Sequence, residues 1–163
     1  MTLADVNSMD RERFIQALGW VFENSSWVAE RAFVSAPFPD LDALHRAMAA
    51  QVEGAQPGEQ LALLRAHPDL GTRARISRAS ESEQSGAGLD RLAPDEFERL
   101  TRLNSAYRDK FGFPFLFAVK GSTKHDILQA LEQRLGASPA DERRVALEQV
   151  SRIARFRLED ILK

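Results

Sequence analysis

The sequence contains no cysteine. That absence excludes disulfides, a thiolate nucleophile and cysteine-ligated zinc or iron-sulfur clusters, and it leaves the redox compartment unconstrained. Long apolar runs are missing too. The longest, around Phe113 to Val119, is interrupted by Pro114 and falls far short of the roughly 20 residues a membrane-spanning helix needs. No membrane partner is therefore expected. Nor is there a surplus of positive charge: Lys plus Arg number 22 and Asp plus Glu 24, a net charge of -2, so no long-range attraction to nucleic acid or anionic lipid is expected. Any anion this chain binds must be held by a local site. The opening residues show no basic stretch followed by an apolar one, and the closing Asp160-Ile161-Leu162-Lys163 is not a peroxisomal address, so the cytoplasm is the expected location.

What is present is the composition of an ordinary globular protein, 44% hydrophobic and 28% charged over 163 residues. A chain of this length fits one domain, residues 1–163, and can bury roughly two thirds of the surface it exposes when unfolded. Glycine and proline cut it into helical lengths. Phe14, Leu18, Val21 and Phe22 fall on one helical face, and Leu41, Leu44, Met48 and Val52 repeat the pattern behind an Asp40 cap. Ser26 and Trp27 open a short helix between them. Leu61 and Leu64 belong to a helix that must stop near His67, because Pro68 disfavours helical geometry at the residue before it. Ser80 with Glu83 three residues on reads as a capping box, with Gly86 and Gly88 as stops. After Pro94 a long helix carries Phe97, Leu100, Asn104, Tyr107 and Phe111 on one stripe, ending at Gly112.

The run Phe113-Pro114-Phe115-Leu116-Phe117-Ala118-Val119-Lys120-Gly121 has no helical period and reads as a short strand or a buried extended loop. A loop is favoured, since no second strand is available to pair with it. Thr123 caps a helix with Ile127, Leu128, Leu131 and Leu135, and Ser138-Pro139 opens the last one. The expected architecture is all-α: a single-domain bundle of about seven to nine helices with one aromatic-rich extended loop.

The last helix holds an anomaly. At 100° per residue Val150, Ile153, Ala154 and Ile161 form an apolar stripe, Arg157 lies in its middle, and Arg155 points almost the opposite way. A guanidinium facing a core requires either an internal Asp or Glu or an anionic ligand, and periodicity does not choose between them. His45 and His125 sit in amphipathic or capping contexts. His67, before a proline at a helix end, is read two ways, as a packed terminal histidine or as an imidazole suited to proton transfer near neutral pH. Glu83 is likewise either a capping carboxylate or a base kept ionised by the helix dipole, and Gln84 adds an amide that donates and accepts. Lys120 reads as a solvated end. No phosphate-cradling glycine loop, metal-spaced cluster or nucleophile motif is found, so no metal and no cofactor are expected.

Four segments taken together resemble the 2-oxo-4-hydroxy-4-carboxy-5-ureidoimidazoline (OHCU) decarboxylase family. They are Leu64-Arg65-Ala66-His67-Pro68-Asp69-Leu70-Gly71, Ser80 through Leu89, Asn104 through Phe115 by way of Tyr107-Arg108-Asp109-Lys110-Phe111-Gly112, and Ile153-Ala154-Arg155-Phe156-Arg157-Leu158. Each is weak alone, but their order and spacing are specific, and the likeness extends to Pro37-Phe38 and Ala118-Val119-Lys120-Gly121. The resemblance implies an all-helical, commonly dimeric enzyme that converts OHCU into (S)-allantoin with loss of carbon dioxide during urate breakdown, without a cofactor. It implies His67 as catalytic acid/base, Glu83 as the group that positions or exchanges protons with the substrate, and Pro68 as pocket wall. Ser80 and Gln84 would bond the ring or ureide, Arg157 would hold a carbonyl or carboxylate, and backbone amides of Phe117, Ala118 and Val119 would complete the site. The implied partners are a small-molecule substrate and a second copy of the chain. Two rival readings are a non-catalytic helical module docking through an aromatic surface at residues 113–117, and a hydrolase or lyase of another ureide ring.

Overall fold

The structure, a computed structural model, describes residues 1–71 and 78–163. Among the described residues the regular elements are nine α-helices and one short 3-10 turn, with no strand, and no helix is long and apolar enough to cross a membrane. The chain divides into two compact units, Met1–Ala66 with Ser151–Lys163, and His67–Val150.

The first unit contains α1 (Leu3–Asn7), α2 (Arg11–Leu18), α3 (Trp27–Ala32), the 3-10 turn Phe33–Ser35, α4 (Leu41–Glu53) and α5 (Pro57–Ala66). The Asp40 side chain accepts from the Ala43 N–H at the start of α4, and Asp10 does the same for Arg13 in α2. Each bond satisfies one N–H that a helix start otherwise leaves unpaired. Helix α3 packs against α2 and α4. Phe14, Leu18, Phe22, Leu44, Met48, Leu63 and Leu64 are buried to 2% exposure or less, and burying each such side chain stabilises the fold by about 1.5–3 kcal/mol. The face read through Phe14, Leu18, Val21 and Phe22 is buried throughout, but the helix stops at Leu18 and the last two reach the core from a turn. The chain turns again at Asn24, whose φ of 45° is in the left-handed region that asparagine tolerates.

The second unit holds α6 (Arg78–Gly86), α7 (Pro94–Phe111), α8 (Lys124–Arg134) and the part of α9 (Pro139–Ile161) up to Val150; the rest of α9 belongs to the first unit. Gly112 ends α7 in the left-handed conformation, φ 79°, and a Thr123–Asp126 capping box starts α8, as their sequence positions predict. The capping role read for Ser80 and Glu83 is corrected. Ser80 is the third residue of α6 and is buried with Gln84, one turn on, so the two form an inward polar face rather than a helix start.

Candidate functional site

His67 follows the last residue of α5, the stop that Pro68 demands. It is buried at 6% exposure, and Pro68 is half-buried. The residues behind it are held from α6 and α7. Asn104 Nδ2 donates to the Leu70 carbonyl at 2.9 Å, Gln84 Oε1 accepts from the Gly71 N–H at 2.8 Å, and Arg108 Nη2 reaches Asp69 at 2.8 Å. Gly71 has φ 73°, and a Cβ there would stand 2.4 Å from Leu100 Cδ2. The backbone conformation favours glycine, and any β-carbon would also oblige the Leu100 methyl to move. The polar break that Asn104 makes in the α7 stripe is a bracket for this loop, and its buried Oδ1 has no hydrogen-bond partner among the described residues.

On α6, Ser80 and Gln84 are buried at 5% and 7% exposure, and Glu83, beside them, is half-buried. Gln84 is thereby joined to the His67 loop through Gly71. Thr72 to Ser77, between the loop and α6, lie outside the described residues.

Residues 114–119 form neither helix nor strand. Phe113, Phe115, Leu116, Ala118 and Val119 are buried, and Phe117 is half-buried. Tyr107 meets Phe113 and Phe115 edge-on at 5.9 and 5.4 Å, and Phe117 stacks on Phe115 at 6.0 Å. These rings make a core, which leaves the docking-module reading without its aromatic surface. The Ala118 N–H donates to Gln149 Oε1 at 2.9 Å, and the Val119 carbonyl accepts from Ser122 N at 2.9 Å.

A buried polar cluster underlies this segment. Tyr107 Oη donates to Glu142, Arg134 Nε donates to the same carboxylate at 2.6 Å, and Arg134 Nη1 donates to the Leu116 carbonyl. The Arg134 guanidinium lies 4.5 Å from the Phe115 ring centroid. Burial, then the adjacent Glu142, push the Tyr107 hydroxyl well above its ordinary pKa.

Arg157 belongs to the first unit. It is 3% exposed, as its place in the apolar stripe predicts, and Nη2 donates to Glu23 Oε2 at 2.9 Å. Nη1 donates to the carbonyls of Trp20 and Val21, both at 3.3 Å, and the guanidinium lies 5.9 Å from the Trp20 ring centroid. The sequence anticipated an internal acid as one solution but did not single out Glu23. That residue sits in the turn after α2, outside any periodic element, where no pattern marks it as inward.

His67, Ser80, Gln84 and residues 117–119 all belong to the second unit, with the first and third tied through Gly71. Among the described residues no group of three or more His, Asp or Glu side chains could hold a metal ion.

The sequence profile of OHCU decarboxylase matches residues 7–159. A protein of Halalkalicoccus jeotgali named 2-oxo-4-hydroxy-4-carboxy-5-ureidoimidazoline decarboxylase is 48% identical over 161 residues, covering 99% of this chain and 92% of that protein. One of the same name from Haloferax volcanii is 47% identical, covering 98% of this chain and 95% of its own length. Among solved structures, a crystal structure of (S)-allantoin synthase superposes with a TM-score of 0.82 at 36% identity, covering 99% of this chain and 54% of that one. Fold, sequence order and coverage agree, and the chain belongs to the OHCU decarboxylase family.

Proposed function

We propose that this chain decarboxylates OHCU to (S)-allantoin in urate breakdown, with His67 as acid/base, Glu83 as the group that positions or exchanges protons with the substrate, and Arg157 as ligand anchor. The reaction supplies its own electron sink. The bond from C4 to the carboxylate breaks, its electron pair passes into the adjoining C5 imine, and carbon dioxide leaves. The ring nitrogen takes a proton, C5 takes another, and the C4 hydroxyl gives one up to become a carbonyl. The protein's work is to hold the ring, favour charge that moves into it and protonate one face.

His67 suits the last task, being buried at a helix end on a loop braced by Asn104 and Gln84. Pro68 would wall the pocket, Ser80 and the Nε2 of Gln84 would meet the ring or ureide, and the amides of Phe117, Ala118 and Val119 would complete the site. A ligand taking the Ala118 N–H must displace or share with Gln149. This reading expects one cytoplasmic domain over residues 1–163, a homodimer in solution by light scattering, and no cofactor.

The observation that carries the proposal is the family match over residues 7–159 together with a buried histidine at the end of α5. For His67→Asn, formation of the chiral product, followed by circular dichroism on freshly made substrate, should fall to the uncatalysed rate while the chain stays folded. Retained turnover would remove His67 from its role.

A further inference from the structure

Glu23 and Arg157 are each 3% exposed and 2.9 Å apart. A carboxylate and a guanidinium taken this far from water interact strongly, and the positive charge of the one is largely cancelled by the other. The carbonyls of Trp20 and Val21 accept from the same guanidinium. The Arg157 guanidinium is therefore a set of directed N–H groups in a pair that carries little net charge.

That matters for a decarboxylation. A bare buried cation would bind most tightly the form of the ligand with the most localised negative charge, which is the substrate's carboxylate before reaction. Stabilising that carboxylate lowers the ground state and slows its departure, since only interactions stronger in the transition state accelerate the step. A neutralised guanidinium instead favours a ring carbonyl, which gains charge as the carboxylate loses it.

We propose that Glu23 is a positioning residue that sets the charge of the Arg157 anchor. It turns the guanidinium from a carboxylate binder into a hydrogen-bonding fork for a carbonyl of a neutral ring. The inference rests on Arg157 being the ligand anchor. Glu23 touches no reacting atom in this account and acts only through Arg157.

The test uses two ligands of nearly the same shape that differ in one group, the anionic hydantoin-5-acetate and the neutral hydantoin-5-acetamide, with affinities measured by calorimetry. In the wild-type chain the two should bind within about threefold of each other, and a carboxylate preference above about tenfold overturns the inference without any variant. In Glu23→Gln, which keeps the shape and removes the charge, the acetate should gain about tenfold relative to the acetamide. On freshly made substrate kcat should fall while KM does not rise. Equal weakening of both ligands, or a ratio within about twofold of wild type, would mean that Glu23 only supports the fold. Arg157→Gln separates this inference from the one beneath it. If that variant binds both ligands as the wild type does, Arg157 is no anchor and both ideas fail; if binding is lost there while Glu23→Gln leaves the ratio unmoved, only the role of Glu23 fails.

Discussion

Arg157 in the first unit and Arg134 in the second each carry a guanidinium into a core and meet a glutamate there, yet their surroundings differ. Arg134 lies against the Phe115 ring, its glutamate is shared with the only tyrosine of the chain, and its remaining described bond fixes the Leu116 carbonyl. Every described group around it is a piece of the fold, and the cluster pins the aromatic segment. Arg157 has its glutamate, two longer bonds to backbone carbonyls and a more distant indole that is itself 40% exposed. The contrast teaches that burial of an ion pair does not by itself mark a function. What distinguishes the two is what borders the guanidinium: aromatic rings of the core at Arg134, backbone carbonyls and a part-exposed indole at Arg157.

The difference can be broken most forcefully at Glu142. Glu142→Ala strands Arg134 among aromatic rings and should lower the unfolding free energy by about 3–5 kcal/mol in urea melts. The surviving native protein should keep an unchanged preference between the hydantoin ligands. A loss below about 1 kcal/mol would mean that water solvates this pair, and its contrast with Arg157 would vanish.

Tyr107→Phe keeps the ring and removes one bond to a buried carboxylate that still has Arg134, so a loss of about 1–2 kcal/mol is expected. Alkaline titration sharpens the point. The Tyr107 hydroxyl is held protonated in the folded chain by burial and by Glu142, whereas the unfolded chain ionises it near the usual value of about 10. A raised folded value means that this stabilisation is present below the unfolded value and is lost as pH climbs past it. Because Tyr107 is the only tyrosine, tyrosinate absorbance reads it alone, and that signal should rise only with unfolding. Ionisation of the native chain at the ordinary pH would contradict the geometry of the cluster.

The smallest effect belongs to a pair of the same chemistry in the open. Arg11 and Glu30 meet at 2.6 Å with side chains 59% and 49% exposed. Arg11→Ala should change stability by no more than about 0.5 kcal/mol, measured in the same melts. A larger loss would show that distance rather than burial governs these pairs.

Much of this arrangement was legible in the sequence because local chemistry dictates it. The Asp40 and Thr123 caps, the Gly112 stop, the end of α5 before His67 and the inward Arg157 all follow from rules that act within one or two turns. What was not legible is pairing across the chain. Glu23 and Arg157 are 134 positions apart, and Tyr107 and Glu142 are 35 apart. No periodicity names such a partner, so the acid was foreseen as a kind of residue and not as a number. Ser80 was misread for a related reason. A serine three residues before a glutamate is a capping pattern at a helix start and an inward polar face one turn further in, and only the starting point distinguishes the two.

Gly71 has a consequence for heritable variation. Its left-handed backbone and the leucine methyl that a β-carbon would strike act on the same atom, so relaxing one leaves the other in force. Replacement by even alanine or serine would strain the loop that presents His67 and displace the Leu100 methyl, without altering any group that could take part in chemistry. An allele of that kind would pass for harmless when the expected catalytic side chains are inspected. It should nonetheless behave as a temperature-sensitive loss of activity, because a loop held in a strained backbone conformation is the first part of the unit to let go on warming.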